Sequence, residues 1–354
     1  MDTEIVTIEF TQDNLTAAED RLLREAGEVI RRGGLVAFPT ETVYGLGGDA
    51  LNPASSEKIY RAKGRPSDNP LIVHICRLED LKKIVARVPE EAYKIADAFW
   101  PGPLTMIMEK ADIVPLQTTG GLNTVAVRFP SHRVAQKLIE YSGGYVAAPS
   151  ANLSGKPSPT RAKYVVEDMS GRIDTIIDGG DVGIGLESTI IDLTVTPPQI
   201  LRPGYVTRQM LEELLGQVEM DRTTMQNDTG EAPKAPGMKY RHYAPKAELL
   251  IVEGEQETVI RYINENVTMR RKQGERIGVI ATGETCAVYE ADVVKNIGSR
   301  EDRETIAKNL FRVLREFDDA GVDVIYSESF DTDGLGQAIM NRLLKAAGHR
   351  LVQV

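Results

Sequence analysis

Cysteine is scarce: Cys76 and Cys286 are the only two in 354 residues. Two thiols so far apart make no disulfide framework, and no Cys-x-x-Cys marks a zinc site. A reducing compartment follows, so a cytoplasmic location is expected. A basic excess is missing too. The 42 Lys and Arg face 52 Asp and Glu, giving a formal net charge of -10, and the acidity is spread over both halves. Tight binding of duplex nucleic acid usually needs a basic stripe, and aromatic residues, only 6% of the chain, do not interleave with basic ones. Stable nucleic-acid binding is therefore not expected, and a small-molecule substrate is. No run approaches the roughly 18 apolar residues of a membrane helix. Residues 1–10 lack a basic start and a continuous apolar stretch, so no signal peptide is expected there. A complete P-loop is absent. Gly45-Leu46-Gly47 and Gly334-Leu335-Gly336 are only pieces of a dinucleotide fingerprint.

What is present is an ordinary globular composition, 42% hydrophobic and 27% charged. The length predicts two domains. Residues 15–32 read as an amphipathic helix ended by Gly33 and Gly34. Helices then alternate with strands as far as 148. Strands follow strands later, at 174–177, 188–193 and 199–201, before a short helix at 207–215. That order predicts an α/β domain with a mixed, twisted sheet over 1–216. Residues 217–245 change character: apolar periodicity fades, and the run 232–245 carries Pro233, Pro236 and Pro245. An interdomain linker is expected there. From 246 to 354, strands at 249–252, 277–280 and 324–326 alternate with helices. They predict a smaller, Rossmann-like α/β domain.

The chemistry concentrates at strand ends. Pro39–Gly47 follows an apolar strand and offers Thr40, Thr42 and Tyr44 hydroxyls. Lys58, Arg61, Lys63 and Arg65 make a dense cationic run, and Gly64 and Pro66 set a bend that can aim two cations at one anion. Alone, such a run reads more readily as a solvated face. His74 in an apolar strand reads more simply as a core histidine. Arg128 ends the apolar strand Val125–Phe129 and needs a carboxylate, a phosphate or water. Ser150 and Asn152 fall on one side if their strand persists, and Ser188 and Arg202 mark two further strand ends.

Taken together these segments resemble the threonylcarbamoyl-AMP synthase family, with its YrdC-like fold. The Lys-x-Arg pair is Lys63-Gly64-Arg65, the Ser-x-Asn pair is Ser150-Ala151-Asn152, and the Pro-Thr-Glu-Thr-x-Tyr-Gly-Leu run is Pro39–Leu46. Further matches are Pro70–His74, Trp100–Thr105, Val127–Pro130 and Glu187–Ile190. Pro236–Pro245 resembles the linker of two-domain members.

The resemblance implies that L-threonine, bicarbonate and ATP become threonylcarbamoyl-AMP and pyrophosphate, a nucleotidyl transfer. The product would serve a downstream tRNA threonylcarbamoyl-transfer complex that modifies position 37 of tRNAs reading ANN codons. It implies a threonine site of Thr42, His74, Arg128, Ala148 and Ser188. The implied ATP site is Lys63, Arg65, Asn69, Thr124, Ser150, Asn152, Ser158, Arg202, Tyr240 and Tyr243, with Lys63 and Arg65 also catalytic. Mg²⁺ is expected with ATP, and no protein metal cage. An RNA-binding module of the same fold stands as the alternative.

Overall fold

The computed structural model describes residues 2–9, 15–221, 234–236 and 243–354. The chain divides into two compact units. One comprises Met1–Ser154, Ser158–Gly183 and Glu187–Tyr240; the other comprises Gly155–Pro157, Ile184–Leu186 and Arg241–Val354.

The first unit opens with strand β1 (Glu4–Thr7) and helix α1 (Ala17–Arg31). Thr16 starts α1 with a capping box: its hydroxyl accepts from the Glu19 amide, and the Glu19 carboxylate accepts from the Thr16 amide. The apolar stripe of α1 buries Leu23, Ala26 and Ile30. The elements that follow are β2 (Val36–Phe38), β3 (Gly45–Asp49), α2 (Pro53–Lys63), β4 (Ile72–His74), α3 (Leu81–Ile84), α4 (Glu90–Phe99), β5 (Leu104–Glu109) and β6 (Thr124–Arg128). Then come α5 (Arg133–Tyr141), β7 (Val146–Ala148), α6 (Ala162–Met169), β8 (Thr175–Asp178), β9 (Thr189–Asp192), β10 (Gln199–Arg202), α7 (Arg208–Leu215) and β11 (Glu219–Met220). One mixed sheet of eleven strands results, ordered β1-β8-β2-β3-β7-β4-β6-β5-β9-β10-β11.

The mixed sheet agrees with the pattern read from the sequence, while three details differ. The glycine-rich run after β2 forms a strand of its own. Its glycines let neighbouring chains close in: a Cβ on Gly47 would meet Val146 Cγ1 at 2.8 Å and Phe38 Cε1 at 2.9 Å. Helix α6 and strand β1 are not among the elements expected from the sequence, although α6 buries Tyr164, Val165 and Met169 and β1 buries Val6. Residues 219–220, expected within the linker, extend the sheet beside β10, so the sheet continues past 216.

The second unit contains β12 (Glu248–Glu253), α8 (Gln256–Arg271), β13 (Ile277–Ala281), β14 (Val293–Asn296), α9 (Arg303–Ala320), β15 (Val324–Glu328), α10 (Leu335–Ala346) and β16 (Leu351–Gln353). Its five strands are all parallel, ordered β14-β13-β15-β12-β16. The central β13 and β15 are buried at every residue, as helix-covered parallel strands should be.

Candidate active site

The register of four central strands of the first unit builds the site. Thr105 on β5 pairs with Arg128 on β6, Arg128 with His74 on β4, and His74 with Val146 on β7. Paired residues share a face of the sheet, so Thr105, Arg128 and His74 stand in one row. Two residues along, the same face carries Ile107, Ala126, Ile72 and Ala148, again in register. Thr124 lies one step further on β6. A polar row therefore borders an apolar one.

Hydrogen bonds extend the polar row sideways. The Thr105 and Ser188 hydroxyls are 2.8 Å apart. Arg202 donates from Nε to the Ser188 carbonyl at 3.0 Å and from Nη2 to its hydroxyl at 3.1 Å. At the other side lies the loop between β2 and β3. Thr40 and Thr42 share a 2.9 Å hydroxyl contact, and Thr40 donates to the Val43 carbonyl. Between these two threonines, Glu41 places Oε1 2.8 Å from Arg128 Nη2. Burial pushes the Glu41 carboxyl up, but the Arg128 guanidinium outweighs it and holds the group below its ordinary range. His74 is buried, and its Nδ1 lies 3.1 Å from the Ile72 carbonyl. Burial, reinforced by the Arg128 charge, pulls it down to about 3, so the ring is neutral near pH 7.

A second cluster surrounds the end of α2. Lys63 is buried, and its Nζ donates to the Ser150 and Asn152 carbonyls, each at 2.5 Å. The Ser150 hydroxyl donates to Asn152 Oδ1. The Lys-x-Arg and Ser-x-Asn pairs are thus one physical unit, since the lysine fastens the loop that carries the serine and asparagine. Arg65 donates to Asn69 Oδ1 at 2.6 Å and to the Pro70 carbonyl at 3.1 Å. The bend at Gly64 thus carries two buried cations, Lys63 ending α2 and Arg65 following it. The charge run splits: Lys58 and Arg61 lie on the exposed side, Lys58 reaching the Gly33 carbonyl. Ser158 donates to Glu187 Oε1 at 2.7 Å.

The run after β11 reaches the same face. Ala235 is fully buried against Ile72, Ile107, Ala126, Ile190 and Leu201, and the Pro236 carbonyl accepts from Arg202 at 3.2 Å. Tyr240, expected at ATP, lies outside the described residues. Tyr243 belongs to the second unit. There its ring packs on Phe311 with centroids 4.9 Å apart, beneath the Arg342 guanidinium, and it is buried. Sequence reasoning passes over Glu41, Thr105 and Glu187 as site residues. Their motifs are visible, but only strand register and loop closure reveal what each one touches.

Family models match both parts of the chain. One described as "Telomere recombination" covers residues 28–204, and one described as "Threonylcarbamoyl-AMP synthase, C-terminal domain" covers 206–348. A threonylcarbamoyl-AMP synthase of Pyrococcus abyssi is 50% identical over 95% of this chain and 97% of its own length. One of Bacillus subtilis is 48% identical over 95% and 96%. The crystal structure of P. abyssi Sua5 complexed with L-threonine superposes with a TM-score of 0.93 at 48% identity, covering 99% of this chain and all of the other.

Proposed function

The chain belongs to the threonylcarbamoyl-AMP synthase family and makes threonylcarbamoyl-AMP; we propose that it does so from L-threonine, bicarbonate and ATP, releasing pyrophosphate. The observation that carries this reading is the likeness, over nearly the whole chain, to a protein solved with L-threonine. It is joined to a buried row of one histidine, two arginines and two hydroxyls on one sheet face. The alternative of an RNA-binding module gives way, because relatives matched over almost their full length are named as synthases.

In this reading Arg128 takes the threonine carboxylate through its planar fork. Neutral His74, Thr42, Ala148 and Ser188 shape the rest of that pocket. The threonine amine gives up a proton and adds to CO₂ from bicarbonate, forming a carbamate. A carbamate oxygen then attacks the α-phosphorus of ATP, the bond to the bridging oxygen breaks, and pyrophosphate leaves. Lys63, Arg65 and Arg202 offset the charge developing on the phosphates, with Asn69, Thr124, Ser150, Asn152 and Ser158 around them. This route needs no covalent enzyme intermediate, so catalysis rests on positioning and electrostatics. Among the described residues no three His, Cys, Asp or Glu gather as a metal cage. The cations and hydroxyls suit a triphosphate that brings its own Mg²⁺, which would neutralise phosphate oxygens. The linker run 232–245 acts as a lid that excludes water from the adenylate, and Ala235 and Pro236 are the described residues of it that pack on the site face. The product feeds the tRNA-modifying complex named above, in the cytoplasm. Mass spectrometry of products formed from ATP, bicarbonate and a panel of amino acids tests the reading. Threonylcarbamoyl-AMP should form with threonine, and an adenylate formed equally well from any amino acid would overturn it.

A further inference from the structure

Arg128 and Glu41 are close without being aligned. Arg128 Nη2 lies 2.8 Å from Glu41 Oε1. Even so, Nε and Nη2 of the arginine and both carboxylate oxygens of the glutamate are buried and make no hydrogen bond within the described protein. Their attraction is therefore mainly Coulombic, and most of their directional bonding capacity is unspent. Buried polar groups left unmatched cost free energy, and in native proteins each calls for a reason such as strain, a catalytic role or a bound partner. Nε and Nη2 form the side-on edge of a guanidinium, the edge that receives a carboxylate in two parallel bonds. The two Glu41 oxygens need the opposite, a donor that carries positive charge. The Arg128 side chain is only 5% exposed, so neither demand is met by bulk water.

One small ligand meets both demands with adjacent groups, a free α-amino acid. We propose that Glu41 is a binding residue of the amino-acid subsite, its carboxylate accepting N–H bonds from the α-ammonium while Arg128 holds the α-carboxylate. This rests on the functional reading above and adds a residue to it. It also gives the enzyme a reason to reject hydroxy acids and amine-blocked amino acids before chemistry begins. The amine binds as the ammonium ion and releases its proton afterwards.

Calorimetric titration of the full-length protein tests this with L-threonine and with 3-hydroxybutyrate, which keeps the carboxylate and the hydroxyl but lacks the amine. The wild type should bind 3-hydroxybutyrate roughly 10- to 100-fold more weakly than threonine, the scale of a charged hydrogen bond. Glu41→Gln should lose a similar factor for threonine and little for 3-hydroxybutyrate, so that the preference collapses. Glu41→Asp should restore part of it. Equal loss of both ligands in Glu41→Gln would mean that the glutamate only orients Arg128, and would overturn the proposal. Equal wild-type affinities for the two ligands would overturn it as well, without any variant having to fold. Failure of the wild type to bind threonine at all would instead sink the functional reading itself.

Discussion

Lys63 joins two jobs in a single side chain. Its ammonium closes the carbonyls of Ser150 and Asn152, and it ends the helix that leads into Arg65. Lys63→Ala is expected to lower kcat/KM by roughly 10²-fold or more, the cost of one preorganised electrostatic contact. It should also destabilise the fold by about 1–3 kcal/mol, because the Ser150 and Asn152 carbonyls lose a charged donor. Pyrophosphate assays and urea unfolding of the same preparation check both parts. Activity lost at unchanged stability would show the tie to Ser150 and Asn152 to be idle. The cations and hydroxyls of the site are legible in the sequence because they sit in short motifs at strand ends. The pairing of Glu41 with Arg128, and the bridge from Thr105 through Ser188 to Arg202, are not. Each joins residues more than eighty positions apart, or fourteen in the Ser188–Arg202 case, through strand register and loop closure.

Strands rich in Leu, Ile and Val announce themselves, whereas β3 does not, since Gly45–Asp49 contains three glycines and no β-branched residue. Short edge strands such as β11, β14 and β16 bury one face weakly and leave little pattern to read. Strand β4 carries a pH dependence of its own. His74 has its folded-state value depressed to about 3, against about 6.5 in an unfolded chain. As pH falls through that window the unfolded chain takes up the proton first. Stability should therefore drop by up to ~1.4 kcal/mol per pH unit between about pH 6.5 and 3. Urea unfolding from about pH 7 to about pH 4 should show a shallower acid loss for His74→Gln than for the wild type; parallel curves would refute this. The run 234–236 makes a second test. Ala235→Glu places a charge among Ile72, Ile107, Ala126, Ile190 and Leu201. A short surface run should give way before a sheet core does. Activity is expected to fall by about tenfold or more with the unfolding midpoint little changed, as for loss of a lid. Unchanged activity would separate this run from catalysis.

At the scale of the whole molecule, the division into units does not follow chain order. Chain segments Gly155–Pro157 and Ile184–Leu186 belong with the C-terminal half, and within that unit Arg315 donates Nε and Nη2 to the Pro157 carbonyl. The sequence hides this, because two three-residue loops carry no composition shift. A chain ending at Gly216 also loses β11 and the run that packs on the site face. It should therefore be less active, per folded molecule, than one ending at Tyr240. Equal rates would show that neither feature matters to turnover. The most direct measurement is pyrophosphate release from ATP by the full-length protein, with L-threonine and bicarbonate each omitted in turn. Release should require both, and serine should replace threonine poorly, since a pocket shaped for the extra methyl loses roughly 1–3 kcal/mol without it. Release at the full rate with either threonine or bicarbonate left out would contradict the assignment.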